Sequence, residues 1–349
     1  MSQHTARERV MAAIKGQYLE AVPVSVNPGT YSAKIGGCTI REFETDAGKS
    51  AKAQIAAYEI LKPDTASVTL GMSVFAEAVG SEIEFPENAF SLIKGHFLED
   101  KASLAKLKIP DPKHDKRLPC LLEVCERVKS AITDAPVGAS AGGPWNLAAD
   151  LRGIETLIYD TVDDPTFVHE LMRFGTEAVK VWGSAVRETG IGLGMGEASA
   201  SCSVISPTIY REFIKPYHIE LVNYFRERKT RISLHICGYI DPIMEDILSL
   251  GLGSISIDSP SSLKTLVELS RKEPLIIGNV NTSLFSEGTK EEIEATVKEC
   301  LRIAAPGGKY LLNSGCVLPF NTTLDRTQYY MEVARKYSRC ENLEVLLAG

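Results

Sequence analysis

The sequence predicts an α/β fold: a single (β/α)₈ barrel with an amino-terminal helical extension and an insertion after its second strand. Three observations carry that prediction. Eight short β-like runs alternate with amphipathic stretches along the chain, a pattern that implies parallel strands joined by crossover helices. The length, 349 residues, suits one barrel domain with insertions. An open doubly wound sheet is disfavoured, because VPVSVNPGTYSAKIGG, the first run with its sequel, lacks the G-x-G-x-x-G turn usual in such sheets.

The elements follow in order. MSQHTARERVMAAIKG reads as an amphipathic helix, without the apolar stretch of a signal peptide. The strand runs lie at 22–27, 65–70, 136–143, 191–198, 231–237, 253–258, 274–280 and 309–316. The Gly-rich third and fourth are the weakest by composition. Residues 71–116 form the insertion after strand two, expected to act as a lid or partner-docking element over the barrel mouth. Helix starts are well marked. Ser206-Pro207 and Asp164-Pro165 each pair a capping side chain with proline at the first helical position. A third helix opens at Thr289, with acids in its first turn, and stops at Pro306-Gly307. No internal repeat or linker divides residues 1–349, which are read as one domain.

Composition removes several function classes. Apolar residues make up 44% of the chain, enough for a large core. The net charge of -7, without a basic block, argues against a nucleic-acid surface. No run is long enough to span a bilayer. Eight cysteines without secretory features point to a reducing cytoplasm. Six of them (Cys38, Cys120, Cys125, Cys202, Cys300 and Cys340) read as inert, small side chains.

Barrel enzymes place their chemistry at the carboxyl-terminal ends of the strands. Those ends carry Asn27, Gly142 and Gly143, Glu197, His235 with Cys237, Asp258, Asn279 and Cys316. In RISLHIC, alternation turns Ile232, Leu234 and Ile236 to one face and Ser233, His235 and Cys237 to the barrel interior. Cys316 ends a second strand. One imidazole and two thiolates suit Zn²⁺, and three ligands on strand ends leave the open position of a catalytic site. Glu197 is the candidate for a displaceable oxygen ligand or a nearby base; a barrel-mouth carboxylate is the plainer reading. Asp258 and Asn279 either fix His235 from behind or line a substrate pocket. Asn27, Tyr31, Trp145 and Tyr210 are further pocket candidates, although Trp145 and Tyr210 equally suit a core. Two thiolates cancel the zinc charge, so the expected chemistry is thiol binding and alkylation rather than hydrolysis.

These residues resemble the uroporphyrinogen decarboxylase superfamily, and within it the zinc-dependent corrinoid methyltransferases that act on coenzyme M. ERVMAAIKGQYLEAVPV, AEAVGSEIEF, EASASCSVISPTIYREFIKPY, LHICGYIDPIMEDILSLGLGSISID, IIGNVNTSLFSEGT and LNSGCVLPFNTT carry the likeness across nearly the whole chain. The resemblance implies a (β/α)₈ barrel and a zinc held by His235, Cys237 and Cys316. One departure separates the branches. The decarboxylases carry an arginine-rich motif after the first strand, whereas NPGTYSAKIGG has no arginine before Arg41. A tetrapyrrole with many carboxylates would want more such cations.

The expected activity is therefore methyl transfer between a corrinoid protein and a small substrate, with a thiol held on zinc as thiolate. No histidine sits in the D-x-H-x-x-G motif of corrinoid carriers, so cobalamin is expected on a separate carrier protein docking at the mouth. Rival readings are a donor-side enzyme that demethylates its substrate, a methionine-synthase-like reaction, a non-catalytic binding module with structural zinc, and a metal-free decarboxylase.

Overall fold

The computed structural model describes residues 3–348. Among the described residues nine strands follow in chain order: β1 (Ala66–Val68), β2 (Glu82–Glu84), β3 (Leu92–Gly95), β4 (Val137–Gly142), β5 (Gly192–Gly196), β6 (Ser233–Ile236), β7 (Ser254–Ile257), β8 (Leu275–Val280) and β9 (Tyr310–Ser314). Seven of them form one curled sheet in the order β1-β4-β5-β6-β7-β8-β9. Every pairing in it is parallel. Apart from the separate β2–β3 pair, strands that follow one another in sequence are neighbours in the sheet, the order that β-helix-β units produce.

The first expected strand departs from regular structure. Residues 22–27 make one isolated parallel bridge, Val24 to Leu312, instead of a ladder. Ser25 N–H donates to the Leu312 carbonyl, and Asp64 N–H to the Val24 carbonyl. The segment thus lies between β9 and the approach to β1. Pro23 has no N–H to give, and the Val24 N–H is taken by the Asp64 carboxylate at 2.8 Å. Extended backbone was legible there; a full ladder is chemically blocked.

Burial alternates along the strands in a way that positions the site. Val68, Val137, Ala139, Leu193, Met195, Leu234, Ile236, Ile255 and Ile257 face the helices and belong to the main core. The opposite face carries mostly Gly and Ser on β1 and β4 to β7, and it is the more exposed of the two. The helix Ala6–Ile14 packs Val10 and Ala13 on Leu275 and Leu311, covering the amino-terminal side of β8 and β9.

The expected helix starts are present. Asp164 caps the helix Pro165–Glu188 through the Phe167 N–H. Thr289 and Glu292 form a capping box on Lys290–Ala304. Ser206 caps the helical stretch that begins at Pro207 and passes through a π-turn at Tyr210–Ile214. Residues 71–116 contain a short helix, Val74–Val79, the antiparallel pair β2–β3 and a 3₁₀ segment. Ion pairs tie this segment down: Lys101 bonds Asp160 at 2.7 Å and Asp164 at 3.0 Å, and Arg117 bonds Glu77 at 2.5 Å. Among the described residues no helix is long and apolar enough to cross a membrane.

Candidate metal centre

Two strand ends bring three soft donors together. His235 lies on β6, with Gly196 of β5 and Ser256 of β7 as its register partners. Cys237 follows one residue past β6, and Cys316 two residues past β9. His235 Nε2 is 3.2 Å from Cys237 Sγ, and the two sulfurs are 3.4 Å apart. All three donor atoms lie within 4.8 Å of one another, partly buried. Among the described residues this is the group of three or more ligand-type side chains that could hold a metal ion.

The surroundings orient each donor. His235 Nδ1 is 3.2 Å from the Ser256 carbonyl oxygen and 3.1 Å from its hydroxyl. A proton on Nδ1 donated to that carbonyl leaves the Nε2 lone pair aimed at the sulfurs. After Cys237 the chain turns at Gly238, φ 70°, a left-handed conformation that glycine adopts freely. Asp258 holds this turn, accepting from Gly238 N–H at 3.0 Å and from Ser259 N–H at 2.7 Å.

Electrostatics separate the two site cysteines from the rest. The Cys237 thiol and the His235 imidazole pull the Cys316 thiol well below its usual value, to about 5. Its partner Cys237 is pushed up, first by its hydrogen bond to Cys316 and then by burial. Two thiolates in contact repel, so the pair readily gives up one proton and holds the second. For His235, burial opposes the charged form, but Cys316 and Asp258 outweigh it and raise the imidazole. Burial raises the other six thiols, Cys125 to about 12 and Cys300 to about 11. Their reading as inert fits that difference.

The donor set suits zinc. Tetrahedral bonds of ~2.0–2.3 Å separate ligand atoms by ~3.4–3.8 Å, within a few tenths of the spacings seen here. A divalent cation also removes the repulsion that keeps Cys237 protonated.

The remaining candidates divide. Asp258 stands beside the triad. Asn27 is at the strand-end level, with its side-chain oxygen accepting from the Ser67 hydroxyl at 2.9 Å. Glu197 is not brought to the triad, contrary to the expected ligand or base role. Its carboxylate is fully buried, accepting from the Trp145 N–H at 3.1 Å and the Asn146 N–H at 2.8 Å, with His218 Nε2 at 3.2 Å. It caps the helix Pro144–Arg152, whose own N-cap, Gly143, offers no side chain. A Cβ at Gly143 would stand 2.1 Å from Glu197 Oε1, so the clasp requires glycine. Trp145 and Tyr210 are fully buried core aromatics; Tyr210 hydroxyl meets His218 Nδ1 at 3.2 Å. Tyr31 is also buried. Asn279 bonds the Asp258 and Ser261 carbonyls and faces Cys300. It also lines a cavity of about 1190 Å³ together with Ser259, Lys298 and Arg302. Ser256, which orients His235, was missed: a serine in SISID has no ligand signature of its own.

Known proteins resemble this chain along most of its length. Residues 5–337 match the family model of uroporphyrinogen decarboxylase (URO-D). A methylcobamide:CoM methyltransferase of Methanosarcina barkeri is 24% identical, over 97% of this chain and 99% of its own length. A methylated-thiol–coenzyme M methyltransferase of Methanosarcina mazei is 23% identical, over 96% and 90%. A uroporphyrinogen decarboxylase of Geobacter sulfurreducens is 22% identical, over 83% and 85%. In fold, the chain is similar to a solved methyltransferase from Methanosarcina mazei, with a TM-score of 0.85 at 23% identity, covering 96% of this chain and 99% of that one. With the family model matched along nearly all of its length, the chain belongs to the uroporphyrinogen decarboxylase (URO-D) family.

Proposed function

We propose that the protein is a zinc-dependent methyltransferase, moving a methyl group between a corrinoid carrier protein and a small thiol. One observation carries the reading: His235, Cys237 and Cys316 converge at the ends of two parallel strands. The corrinoid methyltransferases among its relatives support the reaction class.

Bound zinc supplies a site at which a small thiol stays deprotonated at neutral pH. The chain's own residues prepare that site. Ser256 holds the Nδ1 proton of His235, and Asp258 fixes the turn that aims Cys237. In the thiol-methylating direction the substrate's proton leaves to solvent. Its sulfur then forms a bond to the methyl carbon, and the carbon–cobalt bond breaks with both electrons left on the corrinoid. The carrier docks at the strand-end rim. Tyr239 and Val317, immediately after the two ligand loops, are exposed, as are Met72, Phe90 and Leu92 of the 71–116 segment. Such exposed apolar side chains suit a protein partner.

The test is methyl transfer from methylcobalamin to a panel of small thiols, with zinc-loaded and chelator-treated protein side by side. Thioether formation that needs zinc is expected. Equal turnover by the zinc-free protein would remove the reading.

A further inference from the structure

Below the triad the inner face of the sheet stays open to solvent at positions that metal binding does not use. Barrels of this type usually fill their interior with branched apolar side chains. Here the inner positions of β1 and β4 to β7 are mostly Gly and Ser, with Leu275, Ile277 and Leu311 on β8 and β9, and two of them, Ser67 and Ser140, are exposed although they lie mid-strand. There is room beyond them. A Cβ added at Gly142 would meet nothing within 4 Å, and one at Gly194 nothing nearer than 3.9 Å. On the packed side of the same region, a Cβ at Gly183 would clash with Phe225 at 2.5 Å. Asn313, on the same face of β9 as Leu311, which packs against the helix Ala6–Ile14, keeps a buried side-chain oxygen without a hydrogen-bond partner. Buried polar atoms normally have one, so that oxygen awaits a donor. The seven strands of this sheet contain no Lys, Arg, Asp or Glu.

We propose that this well takes the tail of the small thiol, and that the tail is uncharged and carries hydroxyl or amide groups. The proposal rests on the thiol reading above. The carrier reaches the sulfur from the rim, so the reacting side of the sulfur faces outward and the rest of the molecule points down into the barrel. Ser140, Ser233 and Ser254 offer donors and acceptors there. An apolar tail would leave the Ser233 and Ser254 hydroxyls and the Asn313 oxygen unmatched, while Ser140 keeps its bond to the Ala141 carbonyl. An anionic tail fares worse, because Asp258 stands at the top of the well, the two sulfurs already cancel the zinc charge, and no cation in the strand lining offsets more.

Calorimetric titration of zinc-loaded protein with three thiols tests this: 1-thioglycerol, 2-mercaptoethanesulfonate and ethanethiol. The dihydroxylated thiol should bind about tenfold more tightly than either of the others, the worth of a net hydrogen bond or two. Gly142→Val narrows the well without touching a ligand. It should weaken 1-thioglycerol about tenfold while leaving ethanethiol within about twofold and zinc content unchanged. Ser140→Ala, a milder change at an exposed position, should weaken 1-thioglycerol alone. Tighter binding of the sulfonate overturns the proposal. Equal binding of all three thiols, unaffected by either variant, overturns the well and leaves the thiol reading standing. Absence of any thiol binding overturns both.

Discussion

Two histidine-containing clusters sit on neighbouring elements of the same rim, and they are built on opposite principles. Around Glu197, two backbone amides and His218 occupy the carboxylate, Tyr210 occupies the other side of His218, and water is excluded. Around His235, two sulfurs stand in contact, one pulled below and one pushed above the usual thiol range, and all three donors are partly exposed. The backbones even touch, since the Glu197 N–H donates to the His235 carbonyl. The difference teaches how to tell a fastening from a binding site. A polar cluster whose partners are all internal holds structure, whereas one with mutually repelling donors is completed from outside.

The largest expected effect lies in the triad. Cys237→Ala and Cys316→Ala should each lose zinc and methyl transfer together, while circular dichroism and the melting temperature of the metal-free protein stay near wild type. Metal analysis and activity measured on the same samples check this. A fully active Cys316→Ala would make the two clusters alike and end the metal assignment. Glu197→Ala should do the reverse. Removing one partner from a buried ionic cluster costs about 3–5 kcal/mol, equivalent to a melting temperature lower by about 4–7 °C for a chain of this length. Zinc content should be retained; loss of zinc without loss of stability would return Glu197 to the metal.

The sequence displayed one cluster far better than the other, for physical reasons. His-x-Cys on a strand announces itself, because alternation fixes both side chains on one face and the two residue types share a coordination chemistry. The parallel order of seven strands was also legible, from apolar runs and helix caps at Asp164, Ser206 and Thr289. Glu197 was misplaced because strand alternation ends at Gly196, and beyond it a side chain follows local turns. One signal pointed to its true role: the helix after Gly143 opens on Gly-Pro with no capping side chain, so its N–H groups need a remote acceptor. Asn279 shows the same limit. Strand alternation would turn it inward, yet Gly278 at φ 132° redirects the backbone, and the amide bonds the 258–261 loop. Residues 22–27 were extended as expected, but Pro23 and the Asp64 carboxylate removed the donors a ladder needs.

Ser256→Ala is the next smaller perturbation. The hydroxyl contact to His235 Nδ1 is lost while the carbonyl contact remains. Outer partners of this kind are worth about 10–100-fold in metal affinity. Competition against a chelator of known zinc affinity should show a loss toward the lower end of that range, with stability unchanged. No loss at all would mean that the Ser256 carbonyl alone orients the ring.

The smallest effect tests the sealed side by pH. Burial, and then the nearby Glu197 charge, push Asp150 up to about 7. Its folded-state value therefore lies above that of the unfolded chain. Such a group favours the fold while it is protonated: its contribution is complete below about pH 4 and fades as pH rises to about 7. Asp150→Asn, which stays neutral throughout, should gain stability over wild type at pH 8 and lose that advantage at pH 4. Denaturant unfolding at the two pH values measures the difference. Zinc affinity should not follow it, because Asp150 belongs to the cluster around Glu197. A parallel shift in zinc binding would mean that the two clusters titrate as one.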